Sequence, residues 1–161
     1  MRACDSGLWL LLSLGLLHGL TCFAQSVTSF GDLLFLSSAT GDVVVELASG
    51  NFTWSQHLEV PDAVTSLVIR GSRQRDANGQ PSTRFVCDDS ALPAAEALFT
   101  YQGLSLTIEN VTFTGCQNRA VSMVFIANAD ARVSIVGSLF HNNSRTVVSA
   151  VIVTGFRVLR A

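Results

Sequence analysis

The stretch LSLTIENVTFTGC, Leu104 to Cys116, decides the fold. Apolar and polar residues alternate along it as far as Glu109, so one face is apolar and the other is polar, as in a half-buried β-strand. Asn110 interrupts the alternation, and Val111 and Phe113 resume it. The stretch therefore predicts a strand, a tight corner and a second strand.

The same pattern recurs in VSIVGSLFHNN, Val133 to Asn143, at a spacing of 27 residues. The matched apolar pairs are Leu106/Val133, Ile108/Ile135 and Phe113/Phe140. The corners are Asn110 and Gly137, the two residue types that most easily take a left-handed backbone conformation. Gly71 follows an earlier apolar run at the same place and predicts a third corner. A fixed period with matched apolar positions is the signature of a solenoid.

Composition indicates an ordered domain. The chain has 161 residues, of which 48% are apolar and 14% charged, so it can bury a core and is not disordered. The net charge of −2 argues against nucleic acid or an anionic membrane surface as a partner.

The N-terminus has the layout of a secretory signal peptide. Arg2 precedes a leucine-rich core, Leu8 to Leu17, and small residues follow up to Ala24. We expect residues 1–24 to be the signal, with cleavage after Ala24; the alternative is an uncleaved anchor. No later apolar run is long enough to span a bilayer, so the processed chain is expected to be secreted or held at the cell surface.

The rest of the chain is expected to form one domain. Residues 25–40 predict a linker and a short amphipathic helix that caps the first repeat, with Ser29 or Asp32 capping the helix itself. Residues 41–161 predict the repeats, joined by a polar loop from Ser72 to Thr83. Nothing after Val153 resembles a polar cap, so the array is expected to be incomplete, with self-association through the last repeat as the alternative.

Cysteine usage changes once the signal is removed. Cys87 and Cys116 then remain, on neighbouring predicted repeats and in an oxidising compartment. They form either a disulfide or two buried thiols. No histidine stands near them at ligand spacing, so neither zinc nor another metal is expected, and no cofactor is implied.

Several segments of the chain resemble a known family. VVVELASGNFTW (Val43 to Trp54), LVIRG (Leu67 to Gly71) and the two LTIENVTF/VSIVGSLF repeats are similar to the N-terminal part of pectin-lyase-like proteins. The resemblance implies an all-β, right-handed parallel β-helix that is truncated at its C-terminus. Phe140 and Asn143 also resemble the Phe-x-x-Asn repeats of polymorphic outer-membrane adhesins. Neither resemblance specifies an activity.

Enzymes of the pectin-lyase-like kind are mostly polysaccharide lyases, hydrolases and esterases, as the resemblance implies. Sugar cleavage needs converging carboxylates, and Asp88 and Asp89 form the one adjacent pair that follows a predicted strand. The alternative is an ordinary solvated turn. Asp88, Asp89 and Glu109 are oxygen ligands of the kind that calcium prefers, but no ligand-spaced loop supports such a site. His57 and Glu59 share a strand face as a conceivable base and its orienting partner, without a nucleophile beside them.

Two further groups of residues bear on surface chemistry. Trp54 and Tyr101 would stack on sugars if they were exposed, and would otherwise belong to the core. Asn51, Asn110 and Asn142 begin Asn-x-Ser/Thr sequons and are candidate glycosylation sites; Asn51 and Asn142 are expected in turns, and Asn110 in a crowded corner.

The function that these observations favour is non-catalytic binding of a carbohydrate or cell-wall polymer by a flat wall of stacked strands. One alternative is the N-terminal fragment of a polysaccharide lyase or hydrolase, whose catalytic repeats would lie beyond Ala161. The other is an adhesin-type repeat protein. Convergent carboxylates would favour the enzyme, whereas rows of Ser, Thr and Asn would favour the binder.

Overall fold

The computed structural model describes residues 22–88, 90, 99–116, 124–143 and 148–150. These residues form short strands and one 3-10 helix, Gly31–Ser38. The strands are β1 Cys22–Val27, β2 Asp42–Leu47, β3 Gly50–Trp54, β4 Leu58–Val60, β5 Ser66–Arg70, β6 Thr83–Cys87, β7 Phe99–Tyr101, β8 Ser105–Glu109, β9 Val111–Thr114, β10 Val124–Ile126, β11 Arg132–Val136, β12 Leu139–His141 and β13 Val148–Ala150. None of the described helical residues forms a segment long and apolar enough to cross a membrane.

The strands assemble into three sheets in which every neighbouring pair is parallel. The first sheet has the order β1-β2-β5-β8-β11, the second β3-β6-β9-β12 and the third β4-β7-β10-β13. The predicted pairs are confirmed: Leu106 with Val133, Ile108 with Ile135, and Phe113 with Phe140. Alternation fixes this register, because a slip of one residue would turn the apolar side chains towards solvent.

The core lies between the sheets. Inward side chains of the first sheet, such as Val45, Leu67 and Leu106, are fully buried. The second sheet contributes a column of aromatic rings, with centroids 5.7, 5.2 and 4.8 Å apart at successive contacts. The column is formed by Phe52, Phe85, Phe113 and Phe140. Each such contact contributes about 0.5–1.5 kcal/mol beyond the burial of apolar area.

The prediction of a right-handed parallel β-helix solenoid with an N-terminal capping helix is wrong. A solenoid of this kind needs a regular repeat, but the offset between paired strands ranges from 20 residues (Cys22 against Asp42) to 41 (Leu58 against Phe99). The first described element is also a strand, β1, which extends the first sheet beside β2. The fold is therefore mainly β, with three parallel sheets.

The helix differs from the expected one because of the spacing of its apolar residues. Phe30, Leu33 and Leu36 are buried, whereas Leu34 is 38% exposed. A spacing of three residues matches a 3-10 helix, which has three residues per turn, and not an α-helix. The Asp32 carboxylate stabilises the turn before this helix by accepting hydrogen bonds from the backbone N–H groups of Thr28 and Ser29. These bonds lower the pKa of Asp32.

The third sheet does not follow the 27-residue period. The 27-residue period places Ile126 against Phe99, but Ile126 pairs with Tyr101, and Val124 pairs with Phe99. The reason is that the connection from β9 to β10 is shorter than the connection from β6 to β7. Val153, the next position expected from the period, lies outside the described residues.

The predicted corners are of two kinds. Asn110 and Gly137 have φ angles of 54° and 58°, so both adopt the left-handed conformation expected of them. Gly71 does not adopt a positive φ. It is glycine for another reason, because a Cβ at this position would collide with the backbone carbonyl of Asn110.

The polar segment between β5 and β6 forms a closed loop. Arg75 and Pro81 form an isolated antiparallel bridge at its base. Asp76 Oδ1 accepts hydrogen bonds from the backbone N–H groups of Asn78 and Gln80, at 2.8 and 2.9 Å. The loop also returns to the second sheet, where the carbonyl of Pro81 accepts a hydrogen bond from the buried Thr112 hydroxyl.

Candidate functional site

The candidate site is the outer face of β2, β5, β8 and β11, called here the first-sheet face. The inward residues of β2, β5 and β8 are buried, which leaves the alternate residues of all four strands facing solvent. These outward residues are Asp42, Val44, Glu46, Ser66, Val68, Arg70, Ser105, Thr107, Glu109, Arg132, Ser134 and Val136.

An ion-pair row runs across this face. Arg70 Nη1 lies 2.6 Å from Glu46 Oε1, and Arg70 Nε lies 2.7 Å from Glu109 Oε2. The three residues are in register on β2, β5 and β8, so the guanidinium group connects three strands. The hydrogen bond to Glu109 is the main reason that the pKa of Arg70 is raised above its ordinary value.

Hydroxyl groups occupy the neighbouring positions of the face. Ser66 pairs in register with Ser105, and Thr107 pairs with Ser134. At the edge, Thr65 Oγ1 donates a hydrogen bond of 2.8 Å to Asp42 Oδ1. The face as a whole carries three carboxylates and two guanidinium groups, so it is close to neutral.

Sequence reasoning missed Arg70 as the centre of this face. The signal was present, because Glu46, Arg70 and Glu109 each follow an inward apolar residue, Val45, Ile69 or Ile108. Aligning those three strands would have placed an acid, a base and an acid in one row.

Of the two catalytic candidates, Asp88 and Asp89, only Asp88 lies among the described residues. Asp88 follows β6, and its Oδ1 accepts hydrogen bonds from Ser90 N and Ser90 Oγ, at 3.1 and 2.6 Å. This is the geometry of an Asx turn. Asp89 lies outside the described residues, so its place in a site is not defined.

The calcium hypothesis has no geometric support in the part of the chain that the structure describes. Glu109 is held by Arg70 in the first-sheet face, whereas Asp88 lies in the turn after the second sheet. In that part of the chain, no three His, Cys, Asp or Glu residues are placed to hold a metal ion together.

The other polar candidates have structural partners. The Glu59 carboxylate accepts a hydrogen bond from the side-chain amide of Gln102. His57 is half-buried and lies just before β4. The described partner of Glu59 is therefore Gln102, which follows β7, the strand that pairs with β4.

Trp54 and Tyr101 belong to the core, not to a sugar-binding surface. Trp54 is 1% exposed, and its ring lies 4.7 Å from the rings of both Phe30 and Phe85. Tyr101 is fully buried, and its hydroxyl donates to backbone carbonyls, the shortest bond being 2.7 Å to Ser105. Burial raises the pKa of Tyr101 to about 12.

Cys87 and Cys116 form a disulfide, with their Cα atoms 5.1 Å apart, inside the usual range. It joins the C-terminal end of β6 to the residue pair that follows β9. Asn143, two residues after the end of β12, binds the chain at the same place: its Oδ1 accepts from Cys116 N at 3.1 Å, and its Nδ2 donates to Phe113 O at 3.0 Å. The Phe-x-x-Asn pattern of Phe140 and Asn143 is thus accounted for by packing and hydrogen bonding.

The three sequons differ in their surroundings. Asn51 is exposed and lies within β3, so its expected place in a turn is wrong. Asn110 Oδ1 accepts a hydrogen bond of 3.1 Å from Arg75 Nη2. Asn142 is exposed, with a φ of 54°, just after β12.

Comparison with protein-family models, with curated proteins and with solved structures finds no match to this chain. The likeness to pectin-lyase-like proteins and to outer-membrane adhesin repeats therefore stays a hypothesis drawn from the residues quoted above.

Proposed function

We propose that this chain is a secreted or cell-surface, mainly β domain that binds an extended carbohydrate or cell-wall polymer without cleaving it. The observation that carries the proposal is the first-sheet face, where four parallel strands align hydroxyl, carboxylate and guanidinium groups in rows. Sugar hydroxyls both donate and accept hydrogen bonds, and these rows offer both functions.

The charge of the face favours a neutral polymer. Arg70 is neutralised on both sides by Glu46 and Glu109, so it offers little net attraction to a polyanion. None of the outward residues of the first-sheet face is aromatic, so binding would rest on polar contacts repeated along the polymer. Repeated weak contacts raise affinity through effective concentration.

Two observations favour a binder over the enzyme fragment. Asp88 is used in an Asx turn, and Glu109 is used in an ion pair. Catalysis of glycoside cleavage needs an acid and a second carboxylate on either side of the sugar bond.

Export is favoured by the leucine-rich N-terminus and by the disulfide between Cys87 and Cys116.

The test is retention of the secreted chain on insoluble polysaccharide particles of cellulose, chitin and xylan. Thr107→Lys places a long cationic side chain in the centre of the face, whereas Thr114→Lys places the same side chain on β9 of the second sheet. We expect Thr107→Lys to weaken retention about tenfold, which corresponds to about 1.4 kcal/mol. Thr114→Lys should bind as the parent does. Equal loss in both variants, or no retention of the parent on any polymer, would refute the proposal.

Self-association is a second hypothesis, and it concerns the end of the sheets formed by β11 and β12. Val133, Ile135 and Phe140 are partly buried, whereas their register partners Leu106, Ile108 and Phe113 are buried. Sedimentation velocity over a range of protein concentrations tests it, and a single concentration-independent monomer would contradict it.

A further inference from the structure

The first of the three sequons stands on an open surface. β3 alternates so that Asn51 and Thr53 face outward and are exposed, while Phe52 between them is 2% exposed. Within the described part of the chain, the Asn51 side chain makes no hydrogen bond, and β3 is the outermost strand of the second sheet. A glycan on Asn51 would therefore project into solvent from the folded domain.

The second sequon, which begins at Asn110, has its side chains held in contacts with the rest of the fold. Asn110 Oδ1 is held by Arg75, and a Cβ added to Gly137 would stand only 2.8 Å from that oxygen, so the amide fills the space beside the neighbouring corner. Thr112, the third residue of the sequon, is fully buried, and its hydroxyl donates to Pro81 O at 3.3 Å. A glycan on Asn110 would have to displace these contacts.

We propose that the exported protein carries an N-linked oligosaccharide on Asn51 and none on Asn110. The donor is an oligosaccharide joined through diphosphate to a lipid. Asn51 Nδ2 forms a bond to C1 of the first sugar, the bond from C1 to the diphosphate oxygen breaks, and the amide proton passes to a base of the transferase. The lipid diphosphate leaves, and no oxidation occurs.

The fold selects between the two sites even though glycan transfer precedes folding. A chain that is modified at Asn51 folds with its glycan in solvent, whereas a chain that is modified at Asn110 cannot bring the corner after β8 against Gly137. β3 is the outermost described strand of the second sheet, so the glycan on Asn51 would also shield that side of the sheet from another strand. It would leave the first-sheet face open, so this inference rests on the export in the proposed function and not on polymer binding.

The experiment uses the full chain secreted from eukaryotic cells. Enzymatic release of N-glycans in heavy-oxygen water converts each modified asparagine to labelled aspartate, and peptide mass spectrometry then locates it. We expect the label at Asn51 and its absence at Asn110. Thr53→Ala should remove one glycan from the intact mass, and Thr53→Ser should retain it.

Folding is read on the same samples by thiol labelling, since Cys87 and Cys116 are protected while their disulfide is intact. Labelled Asn110 in secreted protein with protected cysteines would overturn the proposal, as would an unmodified Asn51. Loss of polymer retention in the Thr107→Lys variant, with the glycan unchanged, would separate the two proposals.

Discussion

Gly71 lies with its Cα against the backbone carbonyl of Asn110. A Cβ at position 71 would stand 2.9 Å from the carbonyl carbon and would collide with its oxygen. In addition, Gly71 N donates a hydrogen bond of 2.7 Å to Glu109 O. The corner after β5 can approach the corner after β8 this closely only because position 71 has no side chain.

We therefore expect Gly71→Ala to lower the free energy of unfolding by about 1–3 kcal/mol, the usual cost of overpacking. Gly31→Ala is the matched control, because its added Cβ would have its nearest neighbour, Ser29 Oγ, at 3.7 Å. Urea denaturation followed by circular dichroism measures both. If the two variants unfold at the same urea concentration, the close approach does not constrain position 71.

Tyr101 predicts a loss of stability at alkaline pH. Burial raises its pKa from 10.0 to about 12, so the folded state prefers the neutral phenol. Below the unfolded pKa both states are protonated and the contribution is complete. Between about pH 10 and 12 the unfolded state ionises first, and stability falls by up to about 1.4 kcal/mol per pH unit.

This loss can be assigned to one residue, because Tyr101 is the only tyrosine and the chain contains no lysine. Tyr101→Phe should flatten the alkaline decline. At neutral pH it should also lower stability by about 1–3 kcal/mol, since it removes the hydrogen bonding between the phenol hydroxyl and the carbonyls of Val64, Thr65 and Ser105. The denaturation midpoint measured across this pH range is the readout. An equally steep alkaline decline in the phenylalanine variant would assign the effect elsewhere.

The disulfide predicts a large response to reductant. It closes a loop with a sequence separation of 29 residues, for which the chain-entropy relation gives about 3–4 kcal/mol. The double variant Cys87→Ala with Cys116→Ala should lose about this much and should no longer respond to dithiothreitol. A parent protein whose denaturation midpoint is unchanged under reducing conditions would contradict the prediction.

The ion-pair row predicts a salt-dependent contribution. The Arg70 side chain is 35% exposed, so its two pairs are partly screened, and Arg70→Met should lower stability by about 1 kcal/mol. Part of that loss comes from leaving Glu46 and Glu109 facing an uncharged residue, and Glu109→Gln in the same protein should restore some of it. Arg73→Met, at an exposed loop position, is the control. If the effect of Arg70→Met does not shrink in high salt, its origin is not electrostatic.

Period-two alternation was enough to predict the strands around Asn110 and their partners around Gly137. Leu106 and Ile108 must face the core, and the same holds for Val133 and Ile135, so a slip of one residue would turn one of these pairs towards solvent. Alternation could not predict the register of the third sheet, because that depends on how many residues the preceding turn contains. Nor could it separate a left-handed corner at Asn110 from a steric one at Gly71.

The candidate site was harder to predict for a related reason. The pairing of Glu46, Arg70 and Glu109 depends on residues 24 and 39 positions apart, and those separations do not follow the 27-residue period. Trp54 and Tyr101 could be placed in the core or on the surface by sequence alone, and only the contacts with Phe30, Phe85 and Ser105 decide for the core.

We expect the closed loop between β5 and β6 to accept an inserted foreign peptide. Its base is fixed by the bridge between Arg75 and Pro81, while Ala77, Asn78 and Gly79 at its tip are exposed. A segment inserted between Asn78 and Gly79 would be presented to solvent, since the strands on either side are held by their own sheets. Loop closure adds only about 0.6 kcal/mol for each doubling of loop length, so the scaffold should accept an epitope there.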